Sequence, residues 1–228
     1  MPQVTLYYAP GVCSLVPHIL LRQLGIPFKG IEMKFRKEDN KVEAADGSIS
    51  KEEYRKINPA GYVPVLVVDG EVITEQFAVS TMVALLSPDK EAGEAFLGRG
   101  PLERVRVTQW MVWLSDTMHS QGFGAFFRPE RYIDDKDVYP AVQARGIKKI
   151  EDCYDVIDKR LADRTYVVGE HITVVDLFVY VLWRWAVDVP HLNMKERYPA
   201  YGKLVQRVEA VPGVREAVRE EGRKLQFE

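Results

Sequence analysis

The N-terminal part of the chain alternates between strand-like and helix-like hydrophobic spacing. Val4 to Tyr8 are mostly β-branched or aromatic, which predicts a strand. After a Pro-Gly turn, apolar residues recur every three or four positions and predict a helix from Ser14 to about Leu24; they are Leu15, Val16, Ile19, Leu20 and Leu24. The chain is therefore expected to begin as strand, tight loop and helix.

Further apolar segments continue this alternation. Phe28 to Met33 is typical of a second strand, and the polar stretch from Lys34 to Ser50 predicts a solvated, mobile loop. Val65 to Val68 and Glu71 to Ile73 flank an Asp-Gly pair, which predicts a β-hairpin. Short helices are expected after the loop and after the hairpin. The predicted order is β-α-β-α-β-β-α.

The second half of the chain has helical spacing throughout. A polar segment rich in Gly and Pro predicts a linker at residues 88–100, between a domain at residues 1–87 and an all-helical domain at residues 101–228. The expected helices include Leu102 to His119 and Tyr139 to Leu161. Such helices more often provide a core than a site.

An acidic residue in an apolar run of this helical part invites two interpretations. Asp176 follows Thr173 at the spacing of a capping box, in which each side chain hydrogen-bonds the backbone of the other residue. We therefore interpret Asp176 as a folding residue and not as a catalytic carboxylate.

Composition narrows the class of protein. The chain has 228 residues, of which 46% are hydrophobic and 28% charged, as in an ordinary globular protein. A net charge of −2 gives no basic surface for nucleic acid or an anionic membrane, and no segment is long and apolar enough to span one. Two distant cysteines do not resemble a disulfide framework or a metal site. We expect a cytoplasmic protein without metal, nucleic-acid or membrane partners.

The loop between the first strand and helix holds the most reactive candidate. Cys13 and Ser14 lie where the helix begins, and backbone N–H groups there favour negative charge. A thiol in this position loses its proton more easily, and Ser14 is a common N-cap residue. The alternative is that Cys13 is a small buried apolar residue, as free cysteines often are.

These residues also carry a family resemblance. Tyr8, Pro10, Cys13-Ser14, the block from Asn58 to Pro64 and Thr74-Glu75 together resemble the N-terminal domain of cytosolic glutathione S-transferases. The string from Leu6 to His18 is most similar to the bacterial beta class, whose signature residue is a cysteine. The resemblance implies an α+β thioredoxin-like domain followed by an all-α domain, and glutathione as co-substrate.

The resemblance also implies how glutathione is held. The Val63–Pro64 bond would be cis, which leaves the Val63 backbone able to pair with the cysteinyl unit of glutathione. Glu75 would bind the γ-glutamyl group. The next position is usually serine in the family and is Gln76 here, whose amide can still donate to a carboxylate.

The implied catalytic set is Cys13, Tyr8 and Ser14, together with a histidine of the helical domain. Beta-class enzymes have a histidine late in the first long helix that faces the active cysteine, and His119 matches it. A histidine beside a thiol can hold a proton or stabilise a thiolate. The lysine that often follows in the family is Ser120 here, which removes one positive charge.

The sequence is compatible with two chemistries of this family and with two other functions. Cys13 could form a mixed disulfide with glutathione and transfer the thiol. The nearby hydroxyls could instead activate glutathione for conjugation to a small hydrophobic or electrophilic second substrate. The alternatives are a glutathione-dependent isomerase, lyase or dehalogenase of a specialised pathway, and a non-catalytic binding protein. The resemblance implies a homodimer.

Overall fold

A computed structural model describes residues 2–36 and 41–227 of the chain. It divides into two compact units. The first comprises Met1–Leu97 together with Glu209–Glu228, and the second comprises Gly98–Val208. The first break lies near the predicted linker, whereas the return of the C-terminal residues to the first unit was not predicted.

The first unit contains a mixed sheet of five strands in the order β3-β2-β1-β4-β5. The central strand β1 is parallel to β2 and antiparallel to β4, and β5 pairs with β4 in the predicted hairpin. Because β1 lies in the centre of the sheet and is covered by its neighbours, it is largely apolar along its length. The strands are β1 (Val4–Tyr8), β2 (Lys29–Arg36), β3 (Lys41–Ala44), β4 (Val65–Val68) and β5 (Glu71–Ile73).

The strand β3 corrects the predicted loop from Lys34 to Ser50. It pairs antiparallel with an extended β2, with Met33 opposite Ala44. Val42 and Ala44 are buried and Glu43 between them is partly exposed, a period of two that only two apolar residues of β3 could signal. The predicted mobility of residues 37–40 falls outside the described residues.

Helices cover the sheet of the first unit. The helix α1 packs against both α3 and the C-terminal helix α11, which brings the two ends of the chain together. The helix α4 lies within the predicted linker, where its apolar residues are few. These helices are α1 (Leu15–Gln23), α2 (Lys51–Ile57), α3 (Gln76–Leu85), α4 (Lys90–Leu97) and α11 (Pro212–Glu220).

The second unit is helical and is built around α8, whose residues are almost all buried. The predicted helix from Leu102 to His119 divides into α5 and a π-helical segment at Leu114–Gly124. The α-helices are α5 (Pro101–Trp113), α6 (Ala125–Phe127), α7 (Tyr139–Leu161), α8 (Val174–Arg184), α9 (Met194–Arg197) and α10 (Pro199–Glu209), with short 3-10 turns at Pro129–Arg131, Lys136–Val138 and Trp185–Asp188. Among the described residues, no helix is long and apolar enough to cross a membrane.

The capping box at the start of α8 is confirmed. The Asp176 carboxylate accepts hydrogen bonds from Thr173 N at 2.7 Å and from Val167 N at 2.9 Å. Burial raises the pKa of Asp176 to about 6, although these hydrogen bonds oppose the shift. Asp176 therefore fixes the start of α8 and the loop before it.

Candidate functional site

Ser14 closes the loop that carries Cys13. Its hydroxyl accepts a hydrogen bond from Ala9 N at 3.0 Å and donates one to Ala9 O at 3.1 Å. It stands at the N-cap position of α1, but its side chain makes no capping bond to the helix, contrary to the prediction. The hydroxyl instead links the two ends of a tight turn and is fully buried, and its only proton is already donated to Ala9 O.

The Cys13 thiol lies under the segment that precedes β4. It donates a hydrogen bond to Val63 O over 3.4 Å, and the residue is only 8% exposed. Burial raises the pKa of Cys13 to about 12, and the nearby carboxylates of Glu75 and Glu221 add to the shift. The backbone N–H groups of Cys13 and Ser14 lower the pKa, as expected at a helix start, but they do not outweigh burial. The expectation of an acidic thiol is wrong for the site as it stands.

Two side chains hold the segment that contains Val63. The Tyr54 hydroxyl donates to Tyr62 O at 2.7 Å, and the Asn58 amide donates to the same oxygen at 2.8 Å. The Val63–Pro64 peptide bond is cis. The carbonyl of Val63, next in the chain after Tyr62, accepts the hydrogen bond from Cys13 Sγ.

The start of α3 supplies an exposed carboxylate and a half-buried amide. Glu75 has a positive φ of 66°, a conformation that costs free energy for a residue with a side chain and that is concentrated at functional sites. Gln76 donates from Nε2 to Ser80 Oγ at 3.2 Å. Its Oε1 atom is buried and has no protein partner among the described residues. An unpartnered buried acceptor costs about 1–3 kcal/mol unless a ligand pairs with it.

The two tyrosines at the end of β1 lie on opposite faces of the sheet, as alternation requires. Tyr7 packs 5.5 Å from the Tyr54 ring, in the cluster that includes Val63. Tyr8, the predicted catalytic hydroxyl, lies 5.1 Å from the His18 ring. No hydrogen bond or ring contact joins Tyr8 to Cys13 in the described part of the chain. Burial, with nearby carboxylates, raises the pKa of Tyr8, so its phenol stays neutral.

The C-terminal end of α11 clamps the other side of the Cys13 loop. The Glu221 carboxylate accepts from Gly11 N at 2.7 Å with one oxygen, and its other oxygen lies 2.8 Å from His18 Nδ1. The second ring nitrogen of His18 lies 2.9 Å from Glu220, which also accepts from Arg22. Because ionised carboxylates only accept, both contacts are hydrogen bonds when both imidazole nitrogens carry protons.

His119 belongs to the second unit and lies on the π-helical segment. Its ring packs 5.2 Å from Trp185 and 6.1 Å from Phe178. Burial lowers the pKa of His119 to about 4, and the positive charge of Arg131 lowers it further. The ring is therefore neutral at physiological pH, so it cannot stabilise a thiolate by its charge, although one N–H can still donate.

Sequence reasoning missed three residues of this arrangement. Tyr54 lies on a short polar helix whose pattern gave no functional signal. Glu220 and Glu221 follow α1 by some two hundred residues, so no local pattern connects them with Cys13. The His18 side chain, an ionisable group on the buried face of a helix, was the one available sign that a charged partner exists.

Known protein families and proteins resemble this chain in both of its units. The model of the glutathione S-transferase N-terminal domain matches residues 12–84, and that of the C-terminal domain matches residues 140–207. The glutathione S-transferase GstA of Escherichia coli O157:H7 is 30% identical, with 96% of this chain and 99% of that protein covered. The chain belongs to the glutathione S-transferase family.

Solved structures of this family extend the likeness to the whole fold. The sphingomonad glutathione S-transferase complexed with glutathione is 28% identical to this family member, with a TM-score of 0.79 and coverage of 96% of this chain and 98% of that one. The beta class glutathione S-transferase of Sphingomonas chungbukensis is also 28% identical, with a TM-score of 0.78 and the same coverage. The α+β thioredoxin-like unit followed by a helical unit is confirmed as the glutathione S-transferase fold.

Proposed function

We propose that this glutathione S-transferase binds glutathione on its first unit, with the glutathione sulfur at Cys13. The chain is an enzyme of this family, and glutathione is its co-substrate. The backbone of Val63 is the expected partner for the cysteinyl unit, because an extended peptide pairs with exposed backbone groups. The observation that carries the proposal is the 3.4 Å contact between Cys13 Sγ and Val63 O. A cysteinyl unit on Val63 brings its sulfur close to Cys13.

The γ-glutamyl group of glutathione carries an ammonium and a carboxylate, and the start of α3 offers a partner for each charge. The exposed Glu75 carboxylate is suited to the ammonium group. Gln76 has one buried amide oxygen without a partner, which accepts a hydrogen bond from the same ammonium. The backbone N–H groups at the beginning of α3 suit the carboxylate. The exchange of serine for Gln76 thus shifts the site toward ammonium recognition.

Between the two chemistries, the geometry favours conjugation. A protonated Cys13 thiol can donate its hydrogen bond to the glutathione sulfur in place of Val63 O. Such a bond stabilises the glutathione thiolate, which then attacks a small electrophile; a new carbon–sulfur bond forms and the leaving group departs with its electron pair. The proton of glutathione passes to solvent. Cys13 is neither oxidised nor alkylated in this reaction.

Thiol transfer is the second candidate, and the two backbone N–H groups near Cys13 favour it because they lower the pKa of the thiol. In that reaction the Cys13 thiolate attacks the glutathione sulfur of a mixed disulfide between glutathione and a second thiol, and that second thiol leaves as its thiolate. A second glutathione then attacks the new mixed disulfide on Cys13, restores Cys13 and leaves as oxidised glutathione. Cys153 is 2% exposed and belongs to the other unit, so glutathione itself is the resolving thiol.

The variants Cys13→Ser and Cys13→Ala separate the two reactions. Serine keeps a hydrogen-bond donor but cannot form a disulfide, whereas alanine has neither property. For conjugation we expect Cys13→Ser to keep most of the activity toward a chlorodinitrobenzene. Cys13→Ala should lose at least about tenfold, since a hydrogen bond to a charged group contributes about 1.5–3 kcal/mol. For thiol transfer both variants are inactive with bis(2-hydroxyethyl) disulfide, and intact mass detects a glutathione adduct only on the wild type.

The second substrate is proposed to contact an aromatic cluster of the helical unit. The rings of Phe123, Phe127 and the neutral His119 each pack against Trp185, with centroid distances of 5.1, 6.2 and 5.2 Å. Such a surface suits a small hydrophobic electrophile. We expect His119→Ala to raise KM for the chlorodinitrobenzene while KM for glutathione stays unchanged. A rise in KM for glutathione alone contradicts this assignment.

A homodimer is proposed from an apolar stripe on α5. Leu102, Val105 and Val112 are 71%, 64% and 57% exposed and lie on one side of the helix. Val105→Glu is expected to shift sedimentation toward the monomer, whereas Val187→Glu, at a residue that is 83% exposed elsewhere, leaves it unchanged. A wild type that sediments as a monomer at micromolar concentration refutes the proposal.

The cytoplasm is the proposed location. Both cysteines are free and buried, as is usual in a reducing compartment. Cell fractionation followed by detection of this chain tests the assignment.

A further inference from the structure

The turn that leads into Cys13 is built around one peptide unit, Pro10–Gly11. Val12 N donates to Ala9 O at 3.4 Å, which closes a four-residue β-turn. Gly11, at the third position of this turn, has a positive φ of 79°. Because proline fixes a negative φ at the second position, the turn is of type II. Its central peptide carries the Pro10 carbonyl and the Gly11 N–H on opposite sides.

Two side chains at the end of α11 hold this peptide from both sides. Arg223 Nη2 donates to Pro10 O at 2.9 Å, and the Glu221 carboxylate accepts from Gly11 N at 2.7 Å. A type I turn differs by a rotation of the same peptide, by about 150° in ψ of Pro10 and about 170° in φ of Gly11. That rotation would reverse both polar groups and break both hydrogen bonds. The two side chains therefore stabilise the type II turn against the type I turn.

The end of α11 fixes the backbone of Arg223. Gly222 has a φ of 64°, and its N–H donates to Arg219 O at 2.9 Å. Arg223 N donates to Val218 O, also at 2.9 Å. These two hydrogen bonds form a Schellman motif, which ends a helix and reverses the chain direction. Arg223 is therefore the first residue after a defined helix end.

The segment that follows Arg223 is fixed at its other end by a buried carboxylate. Glu209 is 3% exposed, and its two oxygens accept from Gln226 N at 2.6 Å and from Phe227 N at 3.1 Å. A buried carboxylate needs such hydrogen bonds, so the segment is held firmly. Because the backbone of Arg223 is already ordered from both directions, its contact with Pro10 costs only side-chain entropy.

The Arg223 guanidinium also covers Gly11. A Cβ atom at Gly11 would lie 3.1 Å from Arg223 Nε and 3.4 Å from its Cζ. Among residues 2–36 and 41–227, no carboxylate forms an ion pair with this guanidinium, and Pro10 O is its only hydrogen-bond acceptor. The contacts of this side chain are therefore with the turn itself, and not with a neighbouring surface charge.

We infer that Arg223 is a positioning residue, which holds the Pro10–Gly11 peptide in the orientation that places Cys13 against Val63. Cys13 follows Gly11 by two residues, so φ of Gly11 sets the direction in which the chain enters α1. The contact between Cys13 Sγ and Val63 O, at 3.4 Å, depends on that direction. The effect of Arg223 on catalysis rests on the proposed conjugation at Cys13, whereas its effect on the turn does not.

Two measurements in a Cys153→Ala background test the inference. The first is the rate at which iodoacetamide alkylates Cys13 without glutathione, and the second is kcat and KM for conjugation of glutathione to a chlorodinitrobenzene. Arg223→Met removes the charged donor and keeps an unbranched side chain. Arg219→Met is the matched control, because it removes an exposed arginine one turn earlier on the same helix.

We expect Arg223→Met to open the turn more often, so that Cys13 is alkylated about fivefold faster, as for the loss of one exposed charged contact. Its kcat should fall about tenfold, since a displaced reacting group costs rate, while KM for glutathione stays within about twofold. Arg223→Lys restores a charged donor and should recover most of kcat. The control should match the wild type in every respect.

A double-mutant cycle shows whether the effect passes through the central peptide. Gly11→Ala disfavours the positive φ of the type II turn and should lower kcat by itself. Because both substitutions act on the same peptide, the combined effect of Gly11→Ala and Arg223→Met should be smaller than the sum of their separate effects on the activation free energy.

Three outcomes overturn the inference: alkylation and kcat in Arg223→Met that equal the wild type, full additivity with Gly11→Ala, and an equal loss in Arg219→Met, which shows a general charge effect. Failure of the proposed function has a different signature, namely a wild type that does not conjugate glutathione or a Cys13→Ala variant with full activity. In that case the alkylation rates alone decide whether Arg223 holds the turn.

Discussion

The clamp formed by Glu221 gives a quantitative prediction. Glu221 is 4% exposed and holds Gly11 N and His18 with its two carboxylate oxygens. Glu221→Ala removes two charge-assisted hydrogen bonds, one from the partly buried Gly11 N–H and one with the buried His18 ring. At about 1.5–3 kcal/mol for each bond, the free energy of unfolding should fall by about 3–6 kcal/mol. This is a large part of the 5–15 kcal/mol typical of a whole domain.

Glu221→Gln provides a graded comparison. Its amide oxygen can accept from Gly11 N, and its NH2 group can donate to His18 only if that nitrogen has lost its proton. We therefore expect a smaller loss of about 1–2 kcal/mol, as charged bonds give way to neutral ones. Glu216→Ala is the control on the same helix, because its carboxylate is 51% exposed and 3.7 Å from Arg22. Its loss should stay below about 0.5 kcal/mol.

The assay must report on the correct unit. All four tryptophans lie in the helical unit, so their fluorescence does not follow the Cys13 loop directly. Alkylation of Cys13 during urea titration, in a Cys153→Ala background, reports on the loop itself. If Glu221→Ala unfolds at the same urea concentration as the wild type and the control Glu216→Ala, the buried Glu221 carboxylate does not hold the loop and the reasoning fails.

Three further predictions concern single sites. Burial raises the pKa of Cys13 from 9.0 to about 12, so in Cys153→Ala protein at pH 8 it should react with iodoacetamide about a thousandfold more slowly than an unshifted thiol. The rate should then rise about tenfold per pH unit up to pH 10. A rate that reaches a plateau below pH 8 contradicts this prediction. The pKa of Asp176 is higher in the folded chain than in the unfolded chain, so the folded chain holds this proton more tightly. Between about pH 4 and 6 the free energy of unfolding should therefore fall as pH rises, by up to about 3 kcal/mol relative to Asp176→Asn. Parallel pH profiles of the wild type and Asp176→Asn contradict this prediction. Gly93→Ala should lower Tm by several degrees, since its Cβ would lie 2.2 Å from Ala84 O; an unchanged circular-dichroism melt contradicts it.

Prediction from sequence succeeded where the determining contacts are local. The helix predicted from Tyr139 to Leu161 is observed with those bounds, because a long amphipathic stripe defines it. The hairpin of β4 and β5 followed from its Asp-Gly turn in the same way. The strand β3 was missed because four residues, two of them charged, carry too little periodicity. The helix α4 was missed because Gly and Pro around it resembled a linker.

The residues of the candidate site likewise fall into those placed by local sequence and those placed by distant contacts. Cys13 and Ser14 were found because a strand, a turn and a helix start define their position in one short segment. Strand alternation predicts that Tyr7 and Tyr8 lie on opposite faces of the sheet. It does not predict which of these faces lies nearer to Cys13, because that depends on how the helices pack on the sheet. Glu221 depends on a contact across 210 residues with Gly11. Only the folded chain joins these residues.

The pKa of Cys13 connects this packing with the reaction. Burial is its largest cause, and the charges of Glu75 and Glu221 come after it. Pairing of a glutathione ammonium with Glu75 would cancel one of those charges but would bury the thiol further, so the main cause stays. A thiol that stayed protonated in the occupied site would donate a hydrogen bond and would not attack, which supports the proposed conjugation. Thiol transfer instead requires the Cys13 thiolate, which burial disfavours.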